Sequence, residues 1–130
     1  MRSGSPPPGG APILRTVAMQ INANPAGDIF SGWILYLMDK AASIAAASHA
    51  RGPVATASIS NLWFLQRVRV GDSVCVYATI VRAGHTSITV GIEVYAQRAG
   101  RSDLVRVTET EIVVVAVDGQ RMPRVLAVTA

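Results

Sequence analysis

Few side chains in this chain are suited to chemistry, and one of them stands where a carboxylate is least expected. Between Ile34 and Ala47 the sequence reads ILYLMDKAASIAAA, a helical run in which only Asp39 and Lys40 are charged. A mid-helix carboxylate lowers helix propensity, and burial costs it solvation unless it is paired. Carboxylates poised in apolar surroundings are also the usual form of a general base. Equally, Asp39 and Lys40 could share one solvated edge, or Asp39 could pair with an Arg across an interface; pattern alone leaves it between these readings. Glu109 and Glu111 share a strand face with Val105, Val107, Val113 and Val115. They are a rival acid/base pair, although a bulge turning one of them outward, or pairing with Arg of a neighbouring subunit, is the favoured explanation. His49 falls at a helix end, where a cation is expected for structural reasons. No His is spaced with another His, Cys or carboxylate as a metal site requires. Cys75 has no base beside it in sequence and reads as inert packing.

The elements that must hold these groups follow from the patterning. Ile13 to Gln20 has the length and branching of a first strand, and Asn22 to Gly27 (NANPAG) the chemistry of a turn. From about Ser31 to His49 the spacing predicts a helix, with Ser31 as N-cap, His49 and Arg51 near its last turn and Gly52-Pro53 as its stop. Strands follow at Ala55 to Leu65, Ser73 to Arg82, Ser87 to Ala96 and Leu104 to Val117. The third of these alternates without interruption through Ile88, Val90, Ile92, Val94 and Ala96. Turns are expected at Val70-Gly71-Asp72, Arg82 to His85 and Val117-Asp118-Gly119. One strand, one long helix and four strands joined by short turns predict an α+β domain, an antiparallel sheet wrapped around a central helix. The helix is apolar around its whole circumference, and one sheet cannot cover both sides of it. A second copy of the chain is expected to cover the rest.

Composition narrows the function classes. The 130 residues allow one domain, and half of them are hydrophobic against 15% charged, too apolar for a disordered chain. Ser3 to Gly10 reads SGSPPPGG, so residues 1–12 are expected to form a disordered Pro/Gly-rich tail ahead of a single domain over 13–130. The net charge of +4 comes from twelve basic residues, eleven of them Arg, spread from Arg2 to Arg124. Such a spread suits Arg gripping phosphates on a small ligand better than it suits nucleic acid. The longest apolar run, Ile112 to Val117, is far below the roughly 18–20 residues of a membrane span. With no signal-peptide pattern and one cysteine, the chain reads as soluble and cytoplasmic.

The segment Asn24 to Asp39, NPAGDIFSGWILYLMD, resembles the signature of hotdog-fold acyl-CoA thioesterases. The likeness is to the YciA-like acyl-CoA thioester hydrolases, which are related to brain acyl-CoA hydrolase. Asn24, Gly27, Asp28, Ile29, Phe30, Gly32, Trp33, Met38 and Asp39 match in register. The resemblance continues through Thr56, Phe64, the Val70-Gly71-Asp72 turn, the Gly84 to Ile88 hairpin, Thr108 and Val115 to Gly119. Ser31 departs from it, standing where the family usually has the first Gly of a pair, and so does Arg67, in place of a usual Pro.

That resemblance implies a hotdog fold and hydrolysis of acyl-CoA by water to free fatty acid and coenzyme A. No cofactor is implied, since coenzyme A belongs to the substrate. Asp39 takes the part of the catalytic carboxylate, as general base on water or, as the lesser option, as nucleophile. Asn24 orients water or thioester, and the helix start near Gly32 offers backbone N–H groups to the oxyanion. Trp33 and Thr56 are expected at the substrate. Gly84, His85, Thr86 and Ser87, with Arg121 and Arg124, are expected along the CoA moiety. Gly32 and Asp39 are seven residues apart, about 10 Å along the axis, too far to serve one thioester from the same helix. The family's shared sites at a dimer interface resolve this, Asp39 coming from one subunit and the Asn24 loop and Gly32 from its partner. Dimers are therefore expected, with trimers of dimers usual in this branch, and neither nucleic acid nor membrane as a partner. Two alternatives stand beside this reading. A non-catalytic acyl-CoA-binding or sensing module would keep the pocket and could dispense with Asp39. An acyl-thioester dehydratase or hydratase would want a His–carboxylate pair that His49 and His85 are not placed to give.

Overall fold

The computed structural model describes residues 10–126. Strand β1 spans Leu14–Val17, helix α1 Ser31–Ala50, and strands β2 to β5 Val54–Ser60, Ser73–Ala83, Ser87–Gln97 and Leu104–Ala116. The five strands form one antiparallel sheet in the order β1-β3-β4-β5-β2. Alternation does what the sequence predicts: Val74 and Val76 of β3, Ile88 to Ala96 at every second position of β4, and Ile112, Val114 and Ala116 of β5 make one apolar face. Helix α1 lies on that face through Ile34, Leu37, Met38, Ala41, Ala42 and Ala46, the i, i+3, i+4, i+7 stripe of a packed helix. The alanines let the helix settle close to the sheet. Its other side is open in the protomer, with Tyr36 56% and Ile44 42% exposed. Among the described residues, no helix is long and apolar enough to cross a membrane.

Several local expectations need correcting. Of the tail expected over 1–12, residues 1–9 lie outside the described residues. β1 stops at Val17 rather than Gln20, because the chain turns away there. Ala18 exchanges backbone bonds with the Val70-Gly71-Asp72 turn, and Gln20–Asn22 form a short 3₁₀ helix. Ser31 is the first helical residue rather than the N-cap; that place falls to Phe30, which has no side-chain acceptor to offer. At the other end the helix stops at Ala50, just ahead of Gly52-Pro53 as expected, and Arg51 takes the left-handed conformation, with φ 54°. A Cβ on Gly52 would lie 2.9 Å from Arg124 Nη2, the movable end of that side chain. β2 ends at Ser60, where Asn61 adopts φ 41°, a value Asn tolerates better than most residues. Residues 61–65 then run alongside β5, held by Thr108 Oγ1 donating to Trp63 O and by Leu65 N–H on Val107 O.

The expected bulge in β5 is present, but it acts on more than one carboxylate. Thr108 lies opposite Val94 and Arg106 opposite Tyr95, so Val107 is the extra residue. Val107 turns into the core, and both Glu109 and Glu111 fall on the outer face. Their Arg partners come from the same chain. Arg106 Nη1 meets Glu109 Oε2 at 2.8 Å, and Arg82 Nη2 approaches Glu111 Oε1 at 3.7 Å.

Candidate active site

Asp39 lies midway along α1, half-buried at the border between the packed stripe and the open side. Its Oδ1 accepts a hydrogen bond of 2.5 Å from Thr56 Oγ1. Thr56 stands on β2, which pairs with β5 on one side only and forms a free edge of the sheet. A mid-helix carboxylate is thus tied to the neighbouring strand rather than solvated beside Lys40. Lys40 Nζ lies instead 5.8 Å from the centre of the Tyr36 ring.

Asn24 builds the loop ahead of the helix. Its Oδ1 accepts the N–H groups of Ala26 at 2.9 Å and Asp28 at 3.0 Å, while its own N–H donates to Asp28 O at 2.7 Å. This is the self-bonded turn that Asn favours, and Gly27 supplies the φ of 88° it requires. The Asn24 carbonyl oxygen is therefore committed to the loop, and the Nδ2 amide is the half of the side chain left to meet a ligand. The loop is docked on the helix start by Phe30 N–H on Asn22 O and Ile29 N–H on Val68 O, each 3.0 Å.

The first turn of α1 has no side-chain cap, which leaves the N–H groups of Ser31 and Gly32 at the positive end of the helix dipole. A Cβ on Gly32 would meet nothing within 4 Å; the glycine is not required by packing within the protomer and leaves open room at the helix start. Trp33, half-buried, has its own N–H on Phe30 O at 3.0 Å. Beside this turn opens a cleft of about 420 Å³ with an apolar lining of Ile29, Ile34, Phe64, Leu65, Val68 and Val107, and with Asp28, Ser31 and Arg67 among its polar groups. A second hollow, about 440 Å³, lies on the outer sheet face between Glu93, Glu109 and Glu111. These carboxylates are engaged with Arg106 and Arg82 on the face opposite the helix, which leaves the rival acid/base pair in a structural role.

The other predicted residues gather at the far end of the domain. Gly84 N–H closes the β3–β4 hairpin on Ser87 O at 2.7 Å, and His85 at its tip is exposed. The C-terminal segment returns to this hairpin through Leu126 N–H on His85 O at 2.9 Å, bringing Arg121 and Arg124 to the same end as Arg51. Arg124 is engaged structurally: Nε donates to Val117 O at 3.2 Å and Nη2 to Ala50 O at 3.3 Å, capping the helix terminus. Arg121, with φ 62°, is exposed in the turn that Asp118 organises by accepting N–H groups from Gln120 and Met122. Those bonds, Met122's first, hold the Asp118 carboxyl below the usual range. Within one protomer the structure joins Asp39 to Thr56 and the Asn24 loop to the Gly32 turn, but it does not bring these two pairs together. The Thr56–Asp39 bond escaped sequence reasoning, which placed Thr56 at the substrate. The one available signal was that Thr56 and Ile59 are three apart in a strand whose inward positions should be two apart.

Comparisons with known proteins converge on one family. Residues 26–102 match the model of the thioesterase superfamily. The acyl-CoA thioester hydrolase YciA of Escherichia coli is 40% identical over 93% of this chain and 94% of its own length. A hexameric thioesterase from Yersinia pestis superposes with a TM-score of 0.89 at 41% identity, covering 94% of this chain and 99% of that one. HI0827, described as a hexameric broad-specificity acyl-coenzyme A thioesterase, gives 0.87 at 33% identity over 94% and 84% of the two chains.

Proposed function

Because the chain belongs to the hotdog-fold thioesterase superfamily, among the YciA-like acyl-CoA thioester hydrolases, we propose that it hydrolyses acyl-CoA with Asp39 as general base at a site shared by two protomers. The observation that carries this reading is the Thr56-anchored, half-buried Asp39 carboxylate in the middle of an otherwise apolar helix. Asp39 takes a proton from water as the water oxygen bonds to the thioester carbon. The carbonyl oxygen becomes an oxyanion and draws on the uncapped N–H groups at Gly32 of a second copy, in a dipole field that favours negative charge. Collapse breaks the C–S bond, and the leaving sulfur takes the proton back from Asp39. Free carboxylic acid and coenzyme A result, and no step calls on a metal or a redox cofactor.

Sharing follows from the helix itself. About 10 Å separates Gly32 from Asp39 along the axis, while both groups must lie near 3 Å from one reacting centre. The open side of α1, with Tyr36 and Ile44 exposed, supports a second copy as what covers it. The hexameric state named for the relatives is carried to this chain as three such dimers. The Asn24 amide orients water or thioester, the cleft beside the helix start receives the acyl chain, and Trp33 flanks it. At the far end His85 and Arg121, with the Gly84 to Ser87 hairpin, take the CoA phosphates, and Arg124 contributes from its capping position. The enzyme acts in the cytoplasm on free acyl-CoA.

Release of free thiol from acyl-CoAs of graded chain length, with the wild type and Asp39→Ala, tests the reading. Turnover that disappears in the variant while acyl-CoA still binds is expected; wild-type turnover without Asp39 refutes the mechanism. Binding with no turnover at any chain length would make the protein an acyl-CoA sensor instead.

A further inference from the structure

Ser31 and Arg67, at both of which the chain departs from the family signature, line the same cleft beside the helix start. The wall of that cleft is apolar, and Arg67 stands with Asp28 among its few polar groups. The backbone around Arg67 is pinned. Leu65 N–H donates to Val107 O at 2.7 Å, Ile29 N–H to Val68 O at 3.0 Å, and Arg98 Nη1 to the Arg67 carbonyl oxygen at 2.7 Å. The side chain is held far less firmly. Its one polar contact among the described residues joins Nη1 to Asp28 Oδ2 at 3.4 Å, and 78% of it is exposed. A strong charge-assisted hydrogen bond is shorter, roughly 2.7–2.9 Å, and exposed pairs of this kind contribute little. The Nε–Nη2 edge of the guanidinium engages no acceptor among the described residues.

We propose that Arg67 selects acyl-CoAs whose chain ends in a carboxylate, the guanidinium pairing with that end group at the rim of the cleft. This rests on the reading that the cleft receives the acyl chain. The methylenes of such a substrate lie against Phe64, Leu65 and Val68, as any acyl chain would. Its terminal carboxylate is costly beside an apolar wall unless it is paired. Arginine answers that need better than lysine does: its planar fork offers two parallel donors to one carboxylate, and it is weakly hydrated. The stem of the side chain can cover apolar surface while the charged end stays at the rim. Asp28 holds the guanidinium by Nη1 only, so the other edge stays available for a bidentate pair. A chain that ends in methyl gains nothing from the guanidinium and draws on the wall alone.

The test is kcat/KM for hexanoyl-, octanoyl- and decanoyl-CoA and for their ω-carboxy counterparts, adipoyl-, suberoyl- and sebacoyl-CoA. The wild type, Arg67→Met, Arg67→Lys and Phe64→Trp are compared. The wild type should favour the ω-carboxy substrate at the chain length whose end reaches Arg67. Arg67→Met prolongs the apolar wall and should lower the ratio of ω-carboxy to methyl-ended kcat/KM there by roughly five- to tenfold, the worth of one charge-assisted pair at a partly exposed site. The ω-carboxy values should fall and the methyl-ended values rise. Arg67→Lys keeps the charge without the fork and should lie between. Melting curves identify a variant that fails to fold, in which case Arg67→Gln replaces Arg67→Met. A ratio that Arg67→Met moves by less than about twofold at every chain length overturns the proposal. An equal loss on both series assigns Arg67 to the CoA moiety that all six share and overturns it too. Phe64→Trp narrows the cleft and should shift the preference toward shorter chains. If that preference does not move, the cleft reading itself fails; if it moves while Arg67→Met leaves the ratio alone, only the part given to Arg67 fails. No thiol release by the wild type from any of the substrates would instead remove the hydrolase reading.

Discussion

Replacing Arg106 with Leu is predicted to destabilise the protein severely, although the residue lies on the sheet face away from the helix. Its side chain is only 8% exposed. Nη2 donates to Glu93 Oε1 and to the Tyr95 hydroxyl, and Nη1 to Glu109 Oε2, each at 2.8 Å. The guanidinium also stands 5.4 Å from the centre of the Tyr95 ring. Glu93 and Glu109 are direct cross-strand partners. Without Arg106, two like charges would face each other across neighbouring strands, a destabilising pair, and the Tyr95 hydroxyl would lose the bond it accepts while keeping the one it donates to Glu93 Oε1. Breaking a buried ion pair by removing one member costs about 3–5 kcal/mol. The lower end applies here, because the glutamate side chains keep 28% and 38% of their surface in contact with solvent. For a chain of this length about 3 kcal/mol corresponds to roughly 10 °C in Tm. The assay is thermal unfolding at one fixed protein concentration, since association shifts Tm by mass action. Adding Glu109→Gln to Arg106→Leu should recover part of the loss by removing the repulsion. An Arg106→Leu protein that melts with the wild type, or a double variant that melts lower still, would refute this account of the cluster.

Three further outcomes are expected. Asp118→Ala should lower Tm near neutral pH, and the gap should close as pH falls. The folded-state carboxyl is held below its ordinary value by the Met122 and Gln120 amides, so its contribution is present above the unfolded pKa of about 3.9 and lost as pH drops through the folded one; a gap that persists or widens in acid would refute this. Burial pushes the Cys75 thiol up, with Arg15 opposing weakly, so iodoacetamide at neutral pH should leave Cys75 unmodified in the native protein and label it after denaturation. Ile44→Asp, placing a charge on the open side of α1, should shift the assembly toward smaller species in light scattering and lower the specific activity with it; smaller species with undiminished activity would contradict the shared site.

The large elements were legible because their burial periods are long and clean. β4 alternates through Ile88, Val90, Ile92, Val94 and Ala96, and α1 runs from Ser31 to Ala50 with no proline inside it. Asp39 was legible as an oddity for the same reason, being a charge in a run that otherwise has one neighbour of its kind. What escaped depends on parity or on tertiary contact. A single extra residue at Val107 reverses which face Glu109 and Glu111 take, yet the string Val105, Val107, Glu109, Glu111 reads as one face in either case. In β2, Thr56 lies opposite Val114 and Ser58 opposite Val113, so Ala57 is likewise an extra residue, and it conceals which face Thr56 takes. The N-cap fell to Phe30 because the Asn24 loop, bonded to itself and to Val68, sets where the chain enters the helix, and Ser31's capping preference is too weak to move it. Arg124 gave no sign of its work at the helix end, since its partner carbonyls at Ala50 and Val117 are remote in sequence or carry no side-chain signature.

The alanines under the helix have a meaning for protein engineering that their plain chemistry hides. Ala41, Ala42 and Ala46 are wholly buried between α1 and the sheet, and the separation of two packed elements is set by the side chains at the contact. They act as shims. The height of α1 above the strands, and with it the reach between Asp39 and Thr56, is adjusted from beneath the helix at positions that touch neither water nor substrate. Two methyl groups added there, as in Ala42→Val, would lift the whole element and retune the carboxylate from a distance, while every group at the reaction centre kept its identity.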